Sequence, residues 1–148
     1  MAEVLIDANV LYGFRMSRDQ WHERASRIVR AIDDGTLPRG RVTNVTLSEI
    51  LNPIQKRAGH DPAVATLEFL EQSAGFRVCS FGQSDFARGR ELFRQSNGVE
   101  LPDVTTVAHM RRTGIEYIYS FDDDFDRFDG ITRLTAAANP FEAARSPD

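Results

Sequence analysis

The sequence predicts an α/β fold, a three-layer α/β/α sandwich with a mainly parallel five-stranded sheet. Three observations carry this reading. Short apolar runs alternate with longer stretches of helical periodicity. The runs show no period-two alternation, as expected of strands buried on both faces. Neither an internal repeat nor a linker breaks the pattern, so residues 1–148 are expected to form one domain, irregular from about residue 136.

The first strand is Val4-Leu5-Ile6, which ends on Asp7 with Asn9 two residues later. In open α/β sheets the ligand site lies beyond the carboxyl ends of the strands, so Asp7 is placed there. Leu11 to Ile32 reads as two helices broken near Ser17-Arg18-Asp19, with Trp21, Ala25, Ile28, Val29 and Ile32 on the core face. Asp33 to Gly40 is a turn-rich loop, and Arg41-Val42-Thr43 a short second strand. Thr43, Asn44 and Thr46 are all candidate caps for the next helix, and Thr46-Leu47-Ser48-Glu49 has the form of a capping box. Pro53 should kink that helix or end it early. Asp61-Pro62 opens another helix, with Asp61 as cap, and Gly75 closes it. Phe76 to Cys79 is the third strand, and a helix from Ser84 ends before Gly98. Leu101-Pro102-Asp103 opens a helix closed by Gly114. Tyr117-Ile118-Tyr119 is the fourth strand, Phe121 to Gly130 an acidic loop, and Ile131 to Leu134 the fifth strand. The tail from Thr135 is expected to fray at its end.

Hydrophobic residues make up 41% and charged residues 27% of the chain, an ordinary globular balance. No apolar run has the length of a signal segment or a membrane span, and the single cysteine, Cys79, excludes an internal disulfide or a cysteine zinc cluster. Cytoplasmic residence and no membrane partner are therefore expected. His22, His60 and His109 have no metal-ligand spacing and read as surface or half-buried polar residues. The net charge of −4 argues weakly against nucleic acid. Against this, every basic residue except Lys56 is arginine, the side chain suited to bidentate phosphate contact.

Four acids share one edge in this layout. Asp7 follows strand one, Glu49 lies early in the helix after strand two, and Asp122 follows strand four. Asp103 begins the helix that runs back to feed strand four, which brings it to the same edge. Singly, each has a plain structural reading. Asp7 can be a helix cap, Glu49 a capping-box partner, Asp103 a first-turn dipole residue, and Asp122 part of a solvated acidic loop. Together they repel unless a cation sits among them. Oxygen donors without Cys or His imply Mg²⁺ or Mn²⁺. Such a site suits phosphodiester hydrolysis. An EF-hand is excluded, because the Asp-x-Asp-x-Asp-Gly spacing and closing Glu are absent.

Leu5-Ile6-Asp7-Ala8-Asn9-Val10-Leu11, Thr46-Leu47-Ser48-Glu49-Ile50, Leu101-Pro102-Asp103-Val104 and Tyr119-Ser120-Phe121-Asp122-Asp123-Asp124-Phe125 resemble, in order, the four motifs of PIN-domain ribonucleases. The short form with a tail such as Ala138-Asn139-Pro140 resembles the VapC toxins of toxin–antitoxin pairs. The resemblance covers nearly the whole chain. It implies a Mg²⁺- or Mn²⁺-dependent endoribonuclease acting on tRNA or rRNA, a homodimer, inhibited by a small antitoxin. It makes Asp7 and Asp103 the core metal ligands and Glu49 a ligand, directly or through water, or a residue that positions the nucleophilic water. Asp122 completes the set. Asn9 and Ser120 would orient Asp7 and Asp122. The spacing from Ser120 selects Asp122, Asp124 is the second choice, and Asp123 points elsewhere. Phe125 and Phe128 anchor the loop. Arg15, Arg18 and Arg127, with Arg39 or Arg41 as further choices, are expected to contact RNA phosphates.

Other readings fit less well. A receiver domain needs a lysine after a late strand, and Lys56 is mid-chain. A haloacid-dehalogenase-type phosphatase wants Asp-x-Asp after strand one, where Asn9 stands. A non-catalytic PIN-fold module that binds RNA or protein is the alternative from another class, and four intact carboxylates count against it.

Overall fold

A computed structural model describes residues 2–142. Five strands form one parallel sheet: β1 (Glu3–Ile6), β2 (Arg39–Thr43), β3 (Phe76–Cys79), β4 (Tyr117–Tyr119) and β5 (Thr132–Leu134), in the order β3-β2-β1-β4-β5. The helices are α1 (Ala8–Arg15), α2 (His22–Asp33), α3 (Asn44–Ala58), α4 (His60–Gln72), α5 (Gln83–Gln95) and α6 (Leu101–Thr113). The chain steps from β1 outward through β2 to β3, then returns to the other side of β1 as β4. The crevice at that reversal, outside the carboxyl ends of β1 and β4, is where such sheets hold ligands.

The two faces of the sheet bury separate cores. Val4, Ile6, Val42 and Tyr119 share a core with α1 to α4 that includes Val10, Leu11, Ile28, Ile32, Ile50, Ile54 and Leu70. Leu5 and Ile118 point the other way, onto Leu92, Val104, Val107 and Met110 of α5 and α6. The uninterrupted apolar runs are thus explained by burial on both faces.

Several local expectations are corrected. Pro53 does not end α3, which runs on to Ala58. The proline lacks the N–H that would bond to the Glu49 carbonyl, and the packing of Ile50 and Ile54 holds the helix across that gap. Thr43 is the cap of α3, accepting from the Thr46 N–H at 3.2 Å, so Glu49 falls in the second turn and is no capping-box partner. Asp61 is not the cap of α4. Gly59, at φ 106°, ends α3 and begins α4, a single-residue corner that favours glycine. The helix predicted from Leu11 begins at Ala8, capped by Asp7. β2 starts at Arg39 rather than Arg41, because Gly40 lets the strand pass Ile6, whose side chain stands 2.8 Å from where a Cβ would be. α5 opens at Gln83, where the Asp85 carboxylate accepts from the Gly82 N–H at 2.8 Å. The acidic loop contains a 3-10 turn (Asp123–Arg127) anchored by the buried Phe125, with Phe128 also buried. The fraying expected at the end of the tail falls on residues 143–148, outside the described residues.

His109 is neither on the surface nor half-buried: it is 1% exposed, like Asp85. Its Nδ1 lies 2.8 Å from an Asp85 oxygen and its Nε2 3.3 Å from the Arg41 guanidinium. Arginine can only donate, so Nε2 accepts and Nδ1 carries the proton. Arg41 also donates to Glu3 at 3.0 Å. Burial alone would raise the Asp85 carboxyl, but bonds from Arg112, His109 and the Gly82 N–H outweigh it and hold it well below the usual range. This polar chain ties α5 and α6 to the sheet, and α6 carries Asp103.

Gly89 sets how closely those two helices approach, since a Cβ there would lie 2.9 Å from the Thr105 Cα. Gly89→Ala is expected to cost about 1–3 kcal/mol by overpacking, in spite of alanine's better helix propensity. A fall in the urea midpoint with an unchanged slope is the measurement.

Candidate metal centre

Register brings the first residues together. Ile6 pairs with Tyr119, so the residues that follow, Asp7 and Ser120, emerge side by side from β1 and β4. The Ser120 hydroxyl donates to Asp7 Oδ2 at 2.6 Å, and Asn9 Nδ2 donates to the same oxygen at 3.2 Å. Asp7 Oδ1 accepts from the Ala8 N–H at 2.8 Å, so Asp7 is both a cap and a member of the acidic edge. Ser120 Oγ accepts from the Asp122 N–H at 3.0 Å, and Asn9 Oδ1 from the Phe121 N–H at 3.2 Å. Asp122 Oδ1 in turn accepts from the Asp124 N–H at 2.9 Å. One hydrogen-bonded set therefore fixes the loop after β4 against the start of α1.

Asp103, Asp122 and Asp124 each offer a carboxylate oxygen within 4.8 Å of the others. Asp122 and Asp124 thus both stand in the group, where the sequence had ranked one above the other, and Asp123 is not in it. Asp7 and Glu49 lie outside that triple but close enough for their charges to act on it. Burial, then the charges of Asp7, Asp122, Glu49 and Glu100, push the Asp103 carboxyl up to about 8. Burial of its carboxyl and the charges of Asp7 and Glu100 push Glu49 up to about 7, although the residue as a whole keeps contact with solvent. Asp7 is raised too, by burial and by Asp122, against the lowering bonds from Ser120 and Ala8. Glu100 was missed from sequence. It stands at the cap position of α6, three residues before Asp103, and that spacing was its only signal.

The arginines divide. Arg127 reaches the site: its Nη1 is 3.9 Å from an Asp124 oxygen, and its Nη2 donates to the Asn97 carbonyl at 3.0 Å. Arg15 lies in the last turn of α1, roughly 10 Å along the helix axis from the acidic edge. Arg18 is exposed in the connection to α2. Arg39 and Arg41 are not at the active edge: Arg39 begins β2 at the opposite end of the sheet, and Arg41 is committed to Glu3 and His109. Arg133, not foreseen, donates to the Ser120 carbonyl at 3.4 Å while paired with Asp126. Trp21 is not core packing. It lies half-buried at the start of α2, stacked on Phe121 with ring centroids 4.7 Å apart.

Crowded oxygen donors whose protons are held this tightly suit a hard divalent cation such as Mg²⁺ or Mn²⁺. The PIN domain family model matches residues 4–131. The chain belongs to the PIN-domain family. Among solved structures it is similar to VapC20 of Mycobacterium tuberculosis, described as a sarcin-ricin-loop-cleaving toxin, with a TM-score of 0.72, 25% identity and coverage of 84% of this chain and 93% of that one. A toxin–antitoxin complex from Klebsiella pneumoniae matches with a TM-score of 0.63 and 18% identity, covering 87% and 95%. VapBC2 of Rickettsia felis, bound to DNA from its promoter, matches with a TM-score of 0.67 and 10% identity, covering 89% and 97%. The last two likenesses show the PIN fold alone. None of the curated proteins matches the sequence.

Raised carboxyl pKa values have a definite sign. The folded protein holds these protons more tightly than the unfolded chain, so the stability these carboxyls contribute is full at low pH and is lost as pH rises through the ordinary carboxyl range toward 8. In EDTA the melting midpoint should therefore fall across that window. Asp103→Asn should flatten the fall and raise the midpoint at pH 8 by about 3 °C or more. Differential scanning fluorimetry across pH reads both, and an unchanged profile in the variant would contradict the charge crowding.

Proposed function

We propose that this PIN domain is a Mg²⁺- or Mn²⁺-dependent endoribonuclease, the toxin of a toxin–antitoxin pair, with residues 1–148 as one nuclease unit. The observation that carries the reading is the convergence of Asp103, Asp122 and Asp124 oxygens within 4.8 Å at the carboxyl edge. The resemblance of the four sequence motifs and the likeness to a toxin described as cleaving the sarcin-ricin loop support RNA as the substrate. A small antitoxin, a homodimeric state and a cytoplasmic setting follow from the same resemblance.

Asp7, Asp103 and Asp122, with Asp124 beside them, would hold the ion. The chemistry supplied at that position, were a divalent cation bound, would be an activated water and an offset to charge on the phosphate. Glu49, close enough to Asp7 for their charges to interact, would position that water or accept its proton. Ser120 and Asn9 keep the Asp7 carboxylate in one orientation. Arg127 stands at the rim, where a scissile phosphate would arrive.

Asp7→Asn and Asp103→Asn are expected to lower Mg²⁺-dependent cleavage of a labelled RNA panel by about 100-fold or more. Full activity in either variant would refute the reading, and RNA bound but never cut by the wild type would favour the non-catalytic module. Ser120→Ala should weaken Mn²⁺ binding by about 10-fold or more through loss of the bond that aims Asp7. Isothermal calorimetry of Mn²⁺ binding tests this apart from activity.

A further inference from the structure

An apolar pocket of about 180 Å³ opens between the start of α3, the connection after β3, α5 and the start of α6. Its lining is Val45, Phe81, Phe86, Leu101, Pro102 and Thr105. Two of these walls are aromatic. The Phe81 N–H donates to Asn44 Oδ1 at 3.0 Å, and the Phe81 ring meets His109 edge-on with centroids 5.3 Å apart, so that wall is fixed from two sides. Phe86 is 48% exposed, so its ring is open to a ligand. The Thr105 hydroxyl donates to the Leu101 carbonyl at 2.7 Å, which leaves no lining side chain with an uncommitted donor. Such a pocket takes a flat or apolar group by its faces and does not read hydrogen-bonding edges.

Two elements carry the pocket up to the metal centre. Pro102 directly precedes Asp103 in the first turn of α6. Val45 stands one turn before Glu49 on the same face of α3, which sets their Cβ atoms roughly 6 Å apart. An occupant of the pocket therefore lies beside whatever the carboxylates act on. At the rim, the Arg90 guanidinium lies over the Phe86 ring at 4.6 Å. Arg90 is exposed and, among the described residues, has no carboxylate within ion-pair distance, so its N–H groups are open to a phosphate. A nucleotide fits these features together, with its base against the rings and its phosphate outward on the arginine. An apolar side chain of a protein partner would fill the same space but would leave Arg90 unmatched. A base stacked and paired in a duplex cannot enter such a pocket, whereas an unpaired one can.

We propose that this pocket holds one unpaired base of the RNA, from a nucleotide close to the cleaved bond, with that nucleotide's phosphate on Arg90. The proposal rests on the nuclease reading for its choice of RNA, and its test does not depend on cleavage. A fluorescein-labelled single-stranded oligoribonucleotide of mixed sequence is titrated into the protein with Ca²⁺ in place of Mg²⁺, following anisotropy. Phe86→Ala should weaken binding about tenfold through loss of stacking. Arg90→Gln should weaken it less and reduce the salt slope by about 0.7, corresponding to one phosphate contact on a single strand. The same oligonucleotide with 4-thiouridine for uridine, irradiated in the complex, should cross-link within the peptide that carries Phe81 and Phe86, as mapped by mass spectrometry. Equal urea midpoints show that the variants fold. No binding by the wild type, equal affinity in Phe86→Ala, or cross-links confined to other peptides overturns the base pocket. So does a Phe86→Ala protein that keeps its RNA affinity but changes its sedimentation coefficient, since the pocket would then be a contact between protein chains. A wild type that binds through Phe86 but cuts no RNA with Mg²⁺ overturns the nuclease reading and leaves the pocket standing.

Discussion

The interaction on which the rest depends is repulsion among carboxylates at the crevice between β1 and β4. Asp7, Glu49 and Asp103 compete for a space that burial has made costly for charge, and Asp122 and Glu100 stand near enough to add to the repulsion. No packing gain inside the pocket offsets this. The arrangement persists because the surrounding scaffold is stable enough to impose it, which is the usual relation between a functional site and its fold.

Two separate devices impose it. On one side, the parallel register of β1 and β4 sets Asp7 beside Ser120, and Asn9 and Ser120 fasten the loop after β4 by its own N–H groups. On the other side, α6 must present Asp103 at the same height. Its position is set by the close contact of Gly89 with Thr105 and by the buried Asp85, which joins His109 and Arg112 of α6 to the first turn of α5. Asp85 is fully buried while its charged partner Arg112 is half-exposed, and such a contact is expected to add more to the uniqueness of the helix placement than to stability. For a carboxylate cluster assembled across two layers, that uniqueness is what matters.

Much of this was legible along the chain. Continuous apolar runs revealed parallel strands, since a strand covered on both faces has no polar side to alternate with. An acid at the end of a run marked the carboxyl edge. The legible signals failed where two local rules competed. Pro53 reads as a helix stop, yet Ile50 and Ile54 have core partners that hold α3 together beyond it. Asp61-Pro62 reads as a helix start, yet Gly59 alone can take the corner that joins α3 to α4. Trp21 sits in register with the core residues of α2, but at the helix end its ring swings to the loop after β4.

The sequence by itself determined the layer architecture, the order of the elements and the four acidic motifs at one edge, because periodicity and strand ends are local properties of the chain. Only the tertiary structure decided that Glu100 joins the cluster, that Asp122 and Asp124 both face Asp103, and that Arg41 belongs to a half-buried pair with Glu3 rather than to a phosphate. Those facts depend on distances between segments far apart in the chain. Such distances are set by strand register and helix packing, which no single stretch of residues encodes.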